Sequence, residues 1–144
     1  MTNKELIDLA IKARENSYSP YSGFRVGAAL LADDGRVFCG TNVENASYSL
    51  TCCAERTALF SAVASGCTGF AAIAIVGGRD TVPTEFCTPC GACRQALSEF
   101  SPNGALKIVL FNGNEEKEFP LSALLPHSFS LASSCGGGEA PTGL

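Results

Sequence analysis

Three cysteines and one carboxylate hold the spacing richest in chemistry: Cys53, Cys90, Cys93 and Glu55. Each cysteine falls where a predicted helix begins, and the positive end of a helix favours thiolate over thiol, the form that binds a metal. Cys90 and Cys93 are three apart, so on a helical turn they share a face and one ion can take both sulfurs. Three protein ligands leave a fourth tetrahedral position for water, which marks a catalytic rather than a structural zinc site. Glu55 can take a proton from that water and pass it on, as general base and then general acid. On a helix it points away from the Cys53 side, so the site is expected to lie across the helix end. Three thiolates overcompensate Zn²⁺, and Arg56, three residues from Cys53, is placed to offset that charge by hydrogen bonding to sulfur.

Other readings fit parts of this set. Cys90 and Cys93 alone match a thioredoxin-like CxxC pair. Cys87, Cys90 and Cys93 form CxxCxxC, which Cys53 could complete as a four-thiolate structural zinc or iron-sulfur site. A ferredoxin-type run needs another cysteine near position 97, which is Leu97, and a structural zinc has no use for Glu55. Cys39, Cys52 and Cys67 are expected to be buried small apolar residues, and Cys135 an exposed thiol. His127, the sole histidine, is expected to be structural or exposed, so any metal site must be rich in sulfur.

The elements that must position these groups follow from local signals. Thr2 with Glu5 has the form of a capping box ahead of Leu6, Leu9, Ala10 and Ala13, which predicts a helix ending near Asn16. Val26 to Ala32 and Arg36 to Thr41 read as strands of a hairpin around Asp34 and Gly35. Thr51 is expected to cap a second helix that Gly66 stops. Phe70 to Gly77 reads as a buried strand, Gly91 to Phe100 as a third helix and Leu106 to Phe111 as a strand. Asn112 and Gly113 lead directly into Glu116 to Phe119, so the last two strands are expected to pair antiparallel. A short helical turn fits Leu121 to Leu125. The order predicts an α/β three-layer sandwich, a five-stranded mixed sheet covered by helices. Residues 1–132 are read as one catalytic domain and residues 133–144, with three consecutive glycines, as a mobile tail.

A chain of 144 residues suits one core, and 46% hydrophobic with 17% charged residues is ordinary globular composition. The net charge of −4, with no run of Lys or Arg, argues against a nucleic-acid polymer as partner and favours a small uncharged substrate. The apolar run Phe70 to Val76 is too short to cross a bilayer, so no membrane partner is expected. The charged stretch from Met1 to Arg14 has no apolar segment of the signal-peptide kind, and a cytoplasmic location with reduced cysteines is expected.

CAER at Cys53 to Arg56 and PCGACRQ at Pro89 to Gln95 resemble the two zinc motifs of the cytidine deaminase superfamily. PYSGFRVGAAL from Pro20, NVENASYSLTCCAERTAL from Asn42 and LLPHSF at Leu124 to Phe129 narrow the resemblance to the small, homotetrameric, free-nucleoside type. It implies one Zn²⁺ per chain and hydrolytic deamination of cytidine and deoxycytidine to uridine and deoxyuridine with release of ammonia. It also implies that Phe24 packs at the pyrimidine, that Asn42 and Glu44 bind the ribose hydroxyls, and that Ala54 offers a backbone contact to the base. Tyr48 and Phe129 would complete a neighbouring subunit's pocket, Phe129 by stacking on the base. Asn42 and Glu44 are two apart at a strand end, so both can face one ligand. Taken singly, Asn42 could equally end a strand, Glu44 be a solvated charge and Phe24 be core. Deamination of a related cytosine nucleoside such as blasticidin S is the nearest rival. The chain departs from the family pattern at Cys87 and in its longer glycine-rich tail.

Overall fold

The Thr2 amide donates to Glu5 Oε2 at 2.7 Å and the Glu5 amide to Thr2 Oγ1 at 3.2 Å, closing the capping box that starts α1 (Asn3–Arg14). The chain then forms β1 (Arg25–Ala32), β2 (Val37–Thr41), a single 3₁₀ turn (Tyr48–Leu50), α2 (Ala54–Ala64), β3 (Phe70–Gly78), α3 (Gly91–Ser98), β4 (Lys107–Phe111), β5 (Glu116–Pro120) and α4 (Leu121–Leu124). This computed structural model describes residues 1–131, so the tail expected at 133–144, with Cys135, lies outside the described residues.

The five strands run in the order β2-β1-β3-β4-β5. β1 pairs antiparallel with β2 and β3, and β4 with β5, while β3 and β4 are parallel. A parallel pair needs a crossover, and α3 lies in it. Alternation along the strands sorts the core into two layers. Val26, Ala28 and Leu30 of β1 join Ile73, Ile75, Ile108 and Leu110 beneath α2 and α3. Ala29, Ala72, Ala74, Val76 and Val109 face Leu6, Ile7 and Ala10 of α1 on the other side. The result is the expected three-layer sandwich. No helix among the described residues is long and apolar enough to cross a membrane.

Two glycines let helices sit directly on strand backbone. A Cβ at Gly27 would lie 2.0 Å from Ala10 O of α1, and one at Gly40 would lie 2.3 Å from Ala54 O and 2.4 Å from Ala58 N of α2. Thr57 Oγ1 fastens the second contact by donating to Thr41 O at 2.8 Å. The first turn of α2, which follows Cys53, is therefore seated on β2. On the other side, buried Arg14 donates to Arg25 O and Thr81 O at 3.0 Å, to Gly78 O at 2.7 Å and to Asp80 O, and so ties α1 to the exit of β3.

Several local expectations shift. Thr51 does not cap α2. Val43 and Cys52 exchange two backbone hydrogen bonds of 2.9 and 3.0 Å, which keep the chain extended past Thr51 and make Cys53 the cap residue. α1 and α3 stop at Arg14 and Ser98, short of Asn16 and Phe100. Cys67 is buried, but Cys39 is exposed on the edge strand β2 and Cys52 is only half-buried.

Candidate functional site

Cys53 and Cys90 are the cap residues of α2 and α3, both in extended backbone conformation, and neither side chain makes a capping hydrogen bond. Each sulfur thus sits at the positive end of a helix without capping it. Cys53 Sγ lies 3.8 Å from Cys90 Sγ, and the sulfurs of Cys53, Cys90 and Cys93 all lie within 4.8 Å of one another. A tetrahedral zinc with Zn–S bonds of about 2.3 Å places its sulfurs about 3.8 Å apart, so the donor set fits that ion in type and spacing. Cys87 is outside this group, which removes the four-thiolate arrangement among the described residues. Its sulfur instead faces β3 beside Phe24.

The electrostatics match a thiolate site. A hydrogen bond from Cys93, reinforced by Arg56 against the opposing effect of burial, brings the Cys53 thiol down to about 5. The same bond and burial push Cys93 up, so the two sulfurs share a proton that a bound dication would displace. Arg56 Nη2 approaches Cys53 Sγ at 3.5 Å, and hydrogen bonding to the Cys53 and Cys93 sulfurs pushes the guanidinium up. Its Nε is buried with no partner among the described residues. Glu55 is only 4% exposed, and burial, with the neighbouring Cys53 charge, raises its proton affinity above that of an ordinary glutamate. Burial likewise raises Cys87 to about 12, keeping it a neutral thiol.

An inner cavity of about 240 Å³ opens between the two helix starts and the ends of β1 and β2. Phe24, Asn42, Glu44, Cys53, Ala54, Glu55 and Cys90 all line it, together with Ser22, Val26, Thr51, Cys52, Cys87 and Thr88. Asn42 is buried and largely committed. Its Oδ1 accepts from Val26 N at 2.9 Å and from Ser17 Oγ, and its Nδ2 donates to Phe24 O at 2.7 Å. One Nδ2 proton stays free. Glu44 Oε1 accepts from the Tyr21 and Ser22 amides at 3.0 Å and its Oε2 from Ser22 Oγ at 2.5 Å, which lowers its proton affinity, the hydroxyl contributing most. Both side chains therefore fold the Ser17 to Phe24 loop and also face the cavity.

Tyr48 and Phe129 do not reach the inner cavity of their own chain. Tyr48 is 74% exposed and stands edge-on to Tyr21 at 5.9 Å, beside an outer cavity of about 410 Å³ that shares Ser22, Glu44 and Thr51 with the inner one. Phe129 is 63% exposed, its carbonyl accepting from Gln95 Nε2 at 3.1 Å. His127 is exposed, with a φ of 53°. Sequence reasoning missed Arg94, which donates to Pro89 O at 2.7 Å and to Leu124 O at 2.6 Å and so holds the residue before Cys90 against α4. It also missed Ser22, whose hydroxyl organises Glu44. Neither has a signal in its spacing, because each works on backbone that only the fold brings near.

The family model for the cytidine and deoxycytidylate deaminase zinc-binding region matches residues 1–109. The chain is 47% identical to a cytidine deaminase of Sporosarcina psychrophila over 131 residues, covering 90% of this chain and 93% of that one. It is 49% identical to a cytidine deaminase of Halalkalibacterium halodurans over 132 residues, 90% and 96% of the respective chains. The crystal structure of a cytidine deaminase from Burkholderia pseudomallei superposes with a TM-score of 0.81 at 51% identity, covering 90% of this chain and all of that one. With three sulfurs converging at two helix starts and these likenesses spanning most of its length, the chain belongs to the cytidine and deoxycytidylate deaminase zinc-binding family.

Proposed function

We propose that the protein hydrolyses cytidine and deoxycytidine to uridine and deoxyuridine: water adds at C4, the C4–N4 bond breaks and ammonia leaves. The observation that carries this reading is the convergence of Cys53, Cys90 and the buried Glu55 on the one cavity that Asn42 and Glu44 line from the loop side. Zn²⁺ bound by Cys53, Cys90 and Cys93 would supply a Lewis acid that lets water ionise at a pH of about 7. Glu55 takes the water proton, delivers it to N3 of the base and then helps protonate the departing amine; burial raises its affinity for the proton it carries. Arg56 offsets the net negative charge of three thiolates around a dication. Phe24 gives the base an apolar wall and Ala54 a backbone contact. Asn42 can only donate to a sugar hydroxyl, through its remaining Nδ2 proton, while Glu44 can only accept from one. That complementary pair orients a ribose.

Tyr48 and Phe129, exposed here, complete the pocket of a neighbouring copy, Phe129 stacking on the base, in a homotetramer. Tyr18, Tyr21, Val43 and Leu50 add exposed apolar surface to the loops around the outer cavity, which supports burial by another chain. The thiolate-rich centre suits a reducing compartment, and we place the protein in the cytoplasm.

Incubating the zinc-loaded protein with cytidine, deoxycytidine and cytosine, while following ultraviolet absorbance and ammonia, tests the reaction. Both nucleosides should be converted with one ammonia each; no turnover of either refutes it. Sedimentation should give four chains per particle, and a stable, fully active monomer would refute the shared pocket.

A further inference from the structure

We propose that Gly77 is a positioning residue for the nucleoside pocket: the missing side chain lets Cys87 and Phe24 lie against β3, and this contact sets the width of the cavity. The inference rests on the deaminase reading, since it concerns the same cavity.

Gly77 lies near the end of β3 and is buried. Strand alternation puts it on the face of Ile73 and Ile75, under the α2 and α3 layer. A Cβ there would lie 2.8 Å from Cys87 Sγ, 2.9 Å from Cys87 Cβ and 3.0 Å from Phe24 Cε1. These are closer than carbon and sulfur approach without displacement, so either the strand or the two side chains must move. The strand is the firmer partner. Gly77 pairs with Val26 on one edge and bridges to Glu85 on the other, and buried Arg14 holds the next carbonyl, Gly78 O, at 2.7 Å.

Cys87 and Phe24 both line the inner cavity, so yielding to a Cβ drives them into it. At about 240 Å³ the cavity is small beside ligand pockets of about 300–1,000 Å³ and has little slack to absorb a displaced wall. The three sulfurs hang from the starts of α2 and α3 and not from β3, so the wall can shift without unloading the metal centre. The same contact gives Cys87, the residue at odds with the family pattern, a place in the pocket wall and not at the metal.

The test is Gly77→Ala in the zinc-loaded enzyme. KM for cytidine and, independently of turnover, the calorimetric Kd for uridine should both rise about tenfold or more, with kcat changed less than about threefold and zinc still one per chain. Adding Cys87→Gly, which removes the two closest clashing atoms, should bring Kd back to within about threefold of the parent. If Gly77→Ala does not accumulate folded, Cys87→Met carries the test, because it adds bulk to the wall while leaving the sequence of β3 unchanged and should raise KM with zinc retained. Normal KM and Kd in the folded variant, or a rise that Cys87→Gly does not relieve, overturns the inference. Wild-type protein inactive on cytidine would sink the deaminase reading itself, whereas an active wild type beside a normal Gly77→Ala sinks only this step.

Discussion

Gly40→Ala should damage the metal centre although Gly40 is not a ligand. Its Cβ would meet Ala54 O at 2.3 Å, Ala58 N at 2.4 Å and Thr57 Oγ1 at 2.5 Å, where ordinary contact begins at 3.4 Å. Two of these atoms are helix backbone, so α2 must withdraw from β2 by about 1 Å, an overpacking that costs about 1–3 kcal/mol. Cys53 immediately precedes Ala54 and moves with it, while Cys90 and Cys93, at the start of α3, have no such tie to β2. Metal ligation tolerates errors of about 0.2 Å in ligand distance, about a fifth of that displacement. Zinc affinity should therefore fall about 100-fold, the upper end of what disturbing the support of a metal ligand costs.

Competition against a chromophoric chelator measures that affinity, with urea unfolding of the same samples reporting stability. Gly27→Ala is the control. Its Cβ would clash with α1 at 2.0 Å, at least as severely, but on the opposite face of the sheet. It should lose comparable stability and keep zinc affinity within about threefold, because its strain does not reach Cys53. Equal zinc affinity in Gly40→Ala and the parent, or an equal loss in both variants, would refute the argument that seating α2 on β2 positions Cys53.

Other outcomes follow from single contacts. Glu55→Gln keeps the shape of the side chain and should retain one zinc per chain while cytidine turnover drops about 10²–10⁴-fold, and near-parental turnover would remove Glu55 as the proton carrier. Cys90→Ser should lose tightly bound zinc on dialysis and Cys87→Ser should keep it, as atomic absorption can show; loss in both would restore the four-thiolate arrangement. Arg14→Met strips the donor from four carbonyls at the exit of β3 and should cost about 2–4 kcal/mol in urea unfolding. The hydrogen bonds to Glu44 hold its folded pKa below its ordinary 4.5, so their stabilisation is present above that pH and lost as pH falls through the folded value. Glu44→Gln should accordingly show a shallower decline in unfolding midpoint from about pH 5 downward, and an unchanged slope would contradict the hydrogen bonds to Ser22 and Tyr21.

What the sequence reveals about this site is what local chemistry can carry. Thr2 and Glu5 mark a helix start because both partners lie within one turn, and Asp34 with Gly35 marks a hairpin for the same reason. Cys90 and Cys93 advertise a shared ion because their spacing is itself the geometry. Thr51 misleads because its preference for a helix start competes with pairing between Val43 and Cys52, a contact across nine residues that only the folded loop makes. Asn42 and Glu44 are ambiguous in sequence because their side chains do two things at once, folding the Ser17 to Phe24 loop and facing the cavity. The hardest parts to read are the glycines. Reading a sequence for chemistry looks for groups that donate, accept, ionise or pack, and Gly40 and Gly77 do none of these. Their contribution is the volume they leave to Ala54, Cys87 and Phe24, which lie 14, 10 and 53 residues away along the chain. A site whose ligands are legible one by one can therefore depend for its dimensions on residues that look inert, and the size of that dependence is what the alanine substitutions at Gly40 and Gly77 measure.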